Sequence, residues 1–365
     1  MLKEESIKFE TEYFLWPPFL RNLWVCFLSV NFLMFIAVLS SILVGGFEFF
    51  KLIFMLIVIY FIKNIIDFID YKSNLGRVRS FKKQFCSQNI LTKVKAKTNF
   101  MEGPVAIFSA HYDSACFNYP ERFLKYMFLI YVSYFSIYFP ISYIIDLHFI
   151  AKLLSCITFL VFLGFFLSIR INNKSNGSID NASGTAILIE LAKIFHTNPL
   201  NNIDLIFLWA GAEEFGLWGT KNYCARNFEW LDKNYNLNKS YNINIDMVGS
   251  YIGLIDKVGI FKKTILNKSL NNILEDIARE KEISLIKETK SISFLSDHII
   301  FKFFAKKLKK ELQVCWFNSK KDSKFIHSST DTPEKCLSKN LNGCIEICHH
   351  ALNKLDTDLD SNTMN

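Results

Sequence analysis

The chain has 365 residues, of which 51% are apolar and 37 are Phe, and its 42 Lys plus Arg exceed 34 Asp plus Glu to give a formal charge of +8. A mean hydropathy of +0.20 exceeds what a soluble chain of this size normally shows. Nine cysteines, an odd count without framework spacing, exclude a disulfide-stapled scaffold and point to a reducing compartment. The positive balance accompanies no nucleic-acid motif, so it does not read as a nucleic-acid footprint.

Taken in chain order, the first feature is a pair of apolar runs. Residues Asn22 to Phe47 carry no charge, and Leu52 to Ile69 are interrupted only by Lys63 and Asp67. The first is too long, and preceded by too many acids, to be a cleaved signal peptide. A second pair follows at Tyr126 to Ile145 and Leu153 to Ile169, both uncharged and separated by Asp146 to Lys152. Each run is near the length that crosses a hydrocarbon core, and its apolar residues lie on all sides rather than in one stripe. The expectation is therefore four transmembrane helices, an N-terminal pair within 1–70 and an inserted hairpin within 121–170, in an integral, multi-pass membrane protein. Arg21, Lys72, Arg77, Arg79, Lys82, Lys83, Arg122, Lys125, Arg170 and Lys174 flank these runs on the side of the main domain, which the positive-inside rule places in the cytoplasm. The run Lys302 to Lys310 sets cations beside aromatics and suits anionic headgroups, so the bilayer is an expected partner.

The main domain is divided into 71–120 and 171–355. It alternates strand and helix, which predicts an α/β layer architecture. Strand candidates are Leu91 to Ala96, Val105 to Ala110, Ile203 to Trp209, Tyr241 to Ile245 and Gln313 to Phe317, of which the second is apolar and partly β-branched. Helices are expected near Thr264 to Lys281 and Pro333 to Leu355, and Asp356 to Asn365 reads as a polar, frayed tail. Three of the strands end in chemistry: the second delivers His111 and Asp113, the third Glu213 and Glu214, the fourth Asp246. Ligands belong at such ends in an open α/β sheet. Asp180 instead lies in a loop that opens a helix with apolar residues at Ala186, Leu188, Ile189, Ala192 and Ile194, and the helix dipole favours a carboxylate there.

Singly these residues are ordinary. A lone His-x-Asp is common, adjacent acids are usually solvated, and Asp246 and His327 could be a core acid and a surface histidine. Together His111, Asp180, Glu214, Asp246 and His327 are a two-metal ligand set. His, Asp and Glu without cysteine suit Zn²⁺, and three protein ligands per ion leave a position open for water. Co²⁺ and Mn²⁺ accept the same donors.

The segments Ala110-His111-Tyr112-Asp113-Ser114, Asp180-Asn181-Ala182-Ser183-Gly184, Gly211-Ala212-Glu213-Glu214-Phe215-Gly216, Asn244-Ile245-Asp246-Met247-Val248-Gly249, Ser296-Asp297-His298 and His327-Ser328-Ser329-Thr330-Asp331-Thr332 resemble, in order, the co-catalytic zinc aminopeptidases of peptidase family M28. The resemblance implies a mixed twisted sheet between helices and two zinc ions per chain. Asp180 would bridge them, with His111 and Asp246 on one and Glu214 and His327 on the other. It also implies that Glu213 is the general base, that Asp113 orients the His111 ring, and that peptides are the substrate. Asp297-His298 matches a motif near the substrate side, though a structural pair explains it equally well.

The chain departs from the family pattern in two places. The 69 positions between His111 and Asp180 hold the apolar insertion, which is expected to set the site against the bilayer and favour apolar or membrane-derived peptides. After His298 the usual Gly- and Pro-containing turn is replaced by the basic run already described, which leaves the pocket wall open. Two alternatives stand beside the peptidase: a single-zinc glutaminyl cyclase of the same fold group, and a non-catalytic scaffold or receptor that has lost its metals. Zinc content separates the three.

Overall fold

The computed structural model describes residues 7–16, 32, 36, 39, 85–98, 103–134, 149–259, 262–290 and 296–363. The strands of its main sheet are β1 (Glu10–Trp16), β2 (Phe85–Val94), β3 (Val105–His111), β4 (Asp204–Ala210), β5 (Tyr241–Ile245), β6 (Ile252–Val258), β7 (Thr264–Ile265), β8 (Leu285–Lys290) and β9 (Gln313–Phe317). They form one nine-stranded sheet in the order β1-β2-β4-β3-β5-β9-β6-β8, with β7 paired to β6. The centre is parallel, β3 pairing with β4 and with β5, and β5 with β9. Antiparallel pairs β1–β2, β2–β4 and β9–β6 flank it. The sheet is mixed and lies between helices, as the family resemblance implies; the strand–helix alternation by itself predicts only an α/β layer architecture.

Why β3 is central follows from its sequence. All seven of its residues are buried, and a strand covered on both faces reads as a continuous apolar run. Ala106, Phe108 and Ala110 face one core, in which Phe207 and Ile243 of the neighbouring strands meet the helices α3 (Ser183–Thr197), α5 (Leu270–Glu280) and α7 (Ser338–Thr363). On β9, Cys315 and Phe317 join that core while Trp316, between them, stacks on His298. Successive side chains of a strand point to opposite faces, so α6 (His298–Lys307) covers the other side. There it packs on α4 (Trp218–Asn234), through Tyr223 against Phe301 and Phe228 against Phe304.

Two helices differ from their predicted bounds for identifiable reasons. The first begins at Leu270 instead of Thr264, because Gln313 Oε1 accepts the N–H groups of Ser269 at 3.1 Å and Leu270 at 3.2 Å and fixes the start there. The last begins at Ser338, after a separate turn at Pro333–Lys335, and runs on to Thr363. Asp356 is thus not in a frayed tail. It is buried and accepts N–H groups from Asn201 and Asn202, both at 2.7 Å, which ties the last helix to the segment entering β4.

The chain divides into two compact units, Met1–Pro17 with Gln84–Cys116 and Asn173–Asn365, and Pro18–Lys83 with Phe117–Asn172. The sheet belongs to the first. In the second, the inserted segment forms two helices, α1 (Glu121–Ser133) and α2 (Phe149–Ser168). Tyr131 of α1 sits edge-on to Phe162 and Phe166 of α2, at 5.2 and 5.3 Å.

The predicted transmembrane helices need correction. Among the described residues, no helix is long and apolar enough to cross a membrane. The 13 residues of α1 span about 20 Å at 1.5 Å per residue, against a hydrocarbon core of about 30 Å. α2 has 20 residues but carries Lys152 inside them, and its uncharged part, 153–168, spans about 24 Å. The predicted spans at 22–47 and 52–69 lie outside the described residues, three isolated positions aside, as do 135–145 of the third. The multi-pass membrane localisation, the cytoplasmic placement that the positive-inside rule drew from it, and the idea that the hairpin holds the site against a membrane are corrected accordingly: no described helix supports them. The bilayer as partner is left with the Lys302 to Lys310 run alone.

Candidate metal centre

β3, β4, β5 and β9 run parallel, so their C-terminal ends share one edge of the sheet. The chain leaves β3 to form β4 on one side and returns to form β5 on the other, which makes β3 a topological switch point, where α/β sheets open a crevice for ligands. His111 ends β3, Glu213 and Glu214 follow β4, and Asp246 follows β5. Asp180 reaches the same edge from the turn that opens α3, and His327 from the loop after β9.

These side chains converge in two groups. His111, Asp180 and Asp246 form one, and Asp180, Glu214 and His327 the other, with the donor atoms of each group within 4.8 Å of one another. Asp180 serves both through different oxygens. Its Oδ1 is 3.0 Å from His111 Nε2, and its Oδ2 is 3.3 Å from His327 Nε2. Asp246 Oδ1 lies 3.5 Å from His111 Nε2, and Glu214 Oε2 lies 2.9 Å from His327 Nε2. Donors around a tetrahedral Zn²⁺, with bonds of about 2.0–2.1 Å, stand about 3.3 Å apart. The observed separations bracket that value, and the donors are the N and O types that zinc accepts, so the residues fit the ion.

Secondary contacts position each donor. The carbonyl of Asp113 lies 3.0 Å from His111 Nδ1 and can only accept, which puts the ring proton on Nδ1 and leaves Nε2 free to ligate. The Asp113 carboxylate does something else. It stands 3.9 Å from that nitrogen and instead accepts the N–H groups of Glu213 at 3.0 Å and Glu214 at 3.2 Å. Orientation of His111 thus comes from the Asp113 backbone, while its side chain holds the turn bearing the two glutamates. Asn181 and Ser183 tie the Asp180 turn to the end of β5: Asn181 Nδ2 donates to Ile245 O at 2.9 Å, and Val248 N donates to Ser183 Oγ at 3.0 Å. The approach is close enough that a Cβ on Gly184 would collide with the Ile245 carbonyl.

Three of the segments turn through the left-handed backbone region, at Ala212 (φ 55°), Met247 (φ 87°) and His327 (φ 54°). Non-glycine residues adopt it at a cost, and functional sites are where such cost is commonly held in place by surrounding contacts. At Met247 and His327 a small apolar cluster does so. Ile179, Met247 and Ile326, each adjacent in sequence to Asp180, Asp246 or His327, pack together with Phe325 and Cys336.

The electrostatics are those of a cation site. Asp180, Glu213, Asp246 and Asp297 are buried beside half-buried Glu214, with His111 and His327 as the facing bases. Burial, opposed by His111 and reinforced by Asp297, Asp246 and Glu214, pushes Glu213 well above the usual carboxylate range. Burial and the Asp180 charge lift Glu214 to about 7. Asp180 is held below its ordinary value: burial acts against its charge, but hydrogen bonds and charge from both histidines outweigh it. Burial likewise opposes charging of His111, and Glu213, Asp180 and Asp246 overcome it, keeping the ring basic. More acid than base in a dry pocket is offset by divalent cations.

Asp297 and His298 part company. Burial raises Asp297 to about 7, with the charges of His111, Asp246 and Asp113 all felt. His298 turns into the core and stacks on Trp316 at 4.7 Å, where burial lowers it to about 3. Sequence reasoning gave no role to Asp331, which lies inside one of the quoted segments and is buried against the Asp180 turn. Its spacing carries no signal, because the contact is made across the fold.

A family model described as peptidase family M28 matches residues 89–352. A probable zinc metalloprotease of Pyrenophora tritici-repentis (strain Pt-1C-BFP) is 41% identical over 75 residues, covering 20% of this chain and 16% of that protein. Aminopeptidase YwaD of Bacillus subtilis (strain 168) is 34% identical over 76 residues, covering 21% and 16%. The matched segment therefore spans 16% of the length of each of these relatives. Among solved structures, an aminopeptidase from Aneurinibacillus sp. strain AM-1 aligns with a TM-score of 0.49 at 19% identity, over 75% of this chain and 49% of that one.

Proposed function

The chain belongs to peptidase family M28, and on that premise we propose that it is a metallo-aminopeptidase that removes N-terminal residues from peptides, using two zinc ions per chain. His111 and Asp246 would hold one ion, Glu214 and His327 the other, and Asp180 both. The observation that carries this reading is the division of the Asp180 carboxylate, one oxygen toward His111 and the other toward His327. A single-metal site has no use for the second half of that arrangement.

Zinc bound there would supply Lewis acidity, polarising the scissile carbonyl and acidifying water. The protein supplies the proton path. Glu213 is buried among the charges of His111, Asp246 and Glu214, which suits a base that would take a proton from the attacking water and return it to the leaving amine. Asp113 acts by holding Glu213 and Glu214 in place through their backbone N–H groups.

The test is hydrolysis of aminoacyl-anilides and of N-terminal Gln peptides by purified protein, beside Glu213→Gln and a chelator-treated sample. Release of free amino acids that vanishes in both controls is the expected result. Cyclisation of the Gln peptides without release, at one zinc per chain, would replace this reading with the cyclase. A chain that takes up no zinc would replace it with the scaffold.

A further inference from the structure

Asp331 is fully buried and follows His327 by four positions. Its carboxylate accepts the backbone N–H of Ile179 at 2.7 Å with one oxygen and that of Asp180 at 3.3 Å with the other. These bonds close a ring. It runs from His327 along the chain to Asp331, across to the Asp180 backbone, and through the Asp180 side chain back to His327 at 3.3 Å. The loop that carries Asp331 is itself tied down, since Asp331 N donates to Ser328 O at 3.2 Å and Ser328 Oγ donates to Phe325 O at 2.7 Å.

Resting on the two-metal reading, we propose that Asp331 is a positioning residue that fixes the Asp180 backbone so that its two carboxylate oxygens stay beside His111 and His327, where they would hold two ions. An ionised carboxylate is acceptor-only and can satisfy two adjacent N–H donors. Torsion at the backbone of Asp180 would swing one oxygen away from its partner, because the two are rigidly joined. Asp331 removes that freedom and sets the register between the Asp180 turn and the His327 loop in one step. Residues of this kind, one bond removed from the ligands, typically change metal affinity 10–100-fold when altered, an order-of-magnitude range.

The fold supplies a matched control. Asp356 is likewise buried and accepts the N–H groups of Asn201 and Asn202 at 2.7 Å and of Ile203 at 3.2 Å. It does so where the chain enters β4, at the end of the strand opposite the metal groups. The experiment is a zinc titration of metal-free wild-type, Asp331→Asn and Asp356→Asn proteins against a chromophoric chelator, with urea unfolding of each. The amide keeps the carboxylate shape but turns one arm into a donor that faces a donor. Both variants are expected to lose stability, and only Asp331→Asn to lose affinity for at least one zinc equivalent, by roughly 10–100-fold.

Wild-type affinity for both ions in Asp331→Asn, or an equal zinc loss in Asp356→Asn, overturns the inference while leaving the two-metal reading intact. Wild-type protein that takes up no zinc sinks that reading and this inference with it. Amide exchange in metal-free wild-type protein is a second readout that needs no variant. Ile179 and Asp180 should be protected before metal is added, and exchange at the rate of open amides would overturn the proposal.

Discussion

His327 and Glu214 meet with Nε2 2.9 Å from Oε2, one arriving on the loop after β9 and the other on the turn after β4. Neither strand pairs with the other, since β3 and β5 lie between them. The pair therefore exists only once four strands are in register. Replacing His327 by Ala should leave His111, Asp180 and Asp246 able to hold one ion. Metal analysis after exhaustive dialysis is expected to fall from two zinc per chain to one. Retention of both would show that His327 is not a ligand.

Glu213 is joined to the other donors by charge rather than by ligation in this assignment. Glu213→Gln is expected to lower kcat by about 10²–10⁴-fold, the usual contribution of a general base, while zinc content stays at the wild-type value. Loss of zinc alongside activity would reassign Glu213 as a ligand.

The metal-free chain should lose stability as pH rises. Glu214 is held at about 7 against an ordinary 4.5, and Asp297 at about 7 against 3.8, burial being the first cause of each. Below the unfolded values both states keep the proton. Between them and about pH 7 the folded state binds more protons than the unfolded state, so the stability of the fold declines with rising pH across that window. Zinc replaces those protons, and its stabilisation should be larger near pH 8 than near pH 5. Thermal unfolding with chelator and with excess zinc, at both pH values, reads this directly. A metal-free Tm that climbed through the window would contradict it.

Phe108 of β3 lies flat against Phe207 of β4, with ring centroids 5.2 Å apart. Both are fully buried in the larger core. Phe108→Ala is expected to cost about 3–5 kcal/mol, from lost burial and the cavity left behind. Urea denaturation should show a lower midpoint at unchanged slope. A loss under 1 kcal/mol would mean that the core collapses around the gap.

Much of the site could be read from the sequence because its information is local. An apolar run that ends in His111, Glu213 or Asp246 states both that a strand is present and where its last side chain points, since period and burial are properties of a few consecutive residues. The α/β layer architecture followed from the same runs, whereas the mixed sheet came from the family resemblance. β1 (Glu10–Trp16) was not visible in this way. Its residues are largely exposed, and it is a strand because β2 offers it an edge.

The membrane expectation failed for a related reason. Counting uncharged residues measures the length of a run, whereas spanning depends on how much of that run is one continuous helix. At the insertion the described residues form α1, Glu121–Ser133, and α2, Phe149–Ser168, which packs aromatic rings against it. Composition cannot distinguish rings turned toward a partner helix from rings turned toward lipid.

The sequence by itself determined which donor types the chain carries, their order and the strand ends that present them. Only the tertiary structure decided how they pair: that Asp180 divides its oxygens between two histidines, that the Asp113 side chain grips Glu213 and Glu214 while its carbonyl orients His111, and that Asp331 holds the Asp180 turn. Those contacts join residues far apart in the chain, and their geometry is set by strand order and loop packing, which no window of sequence contains.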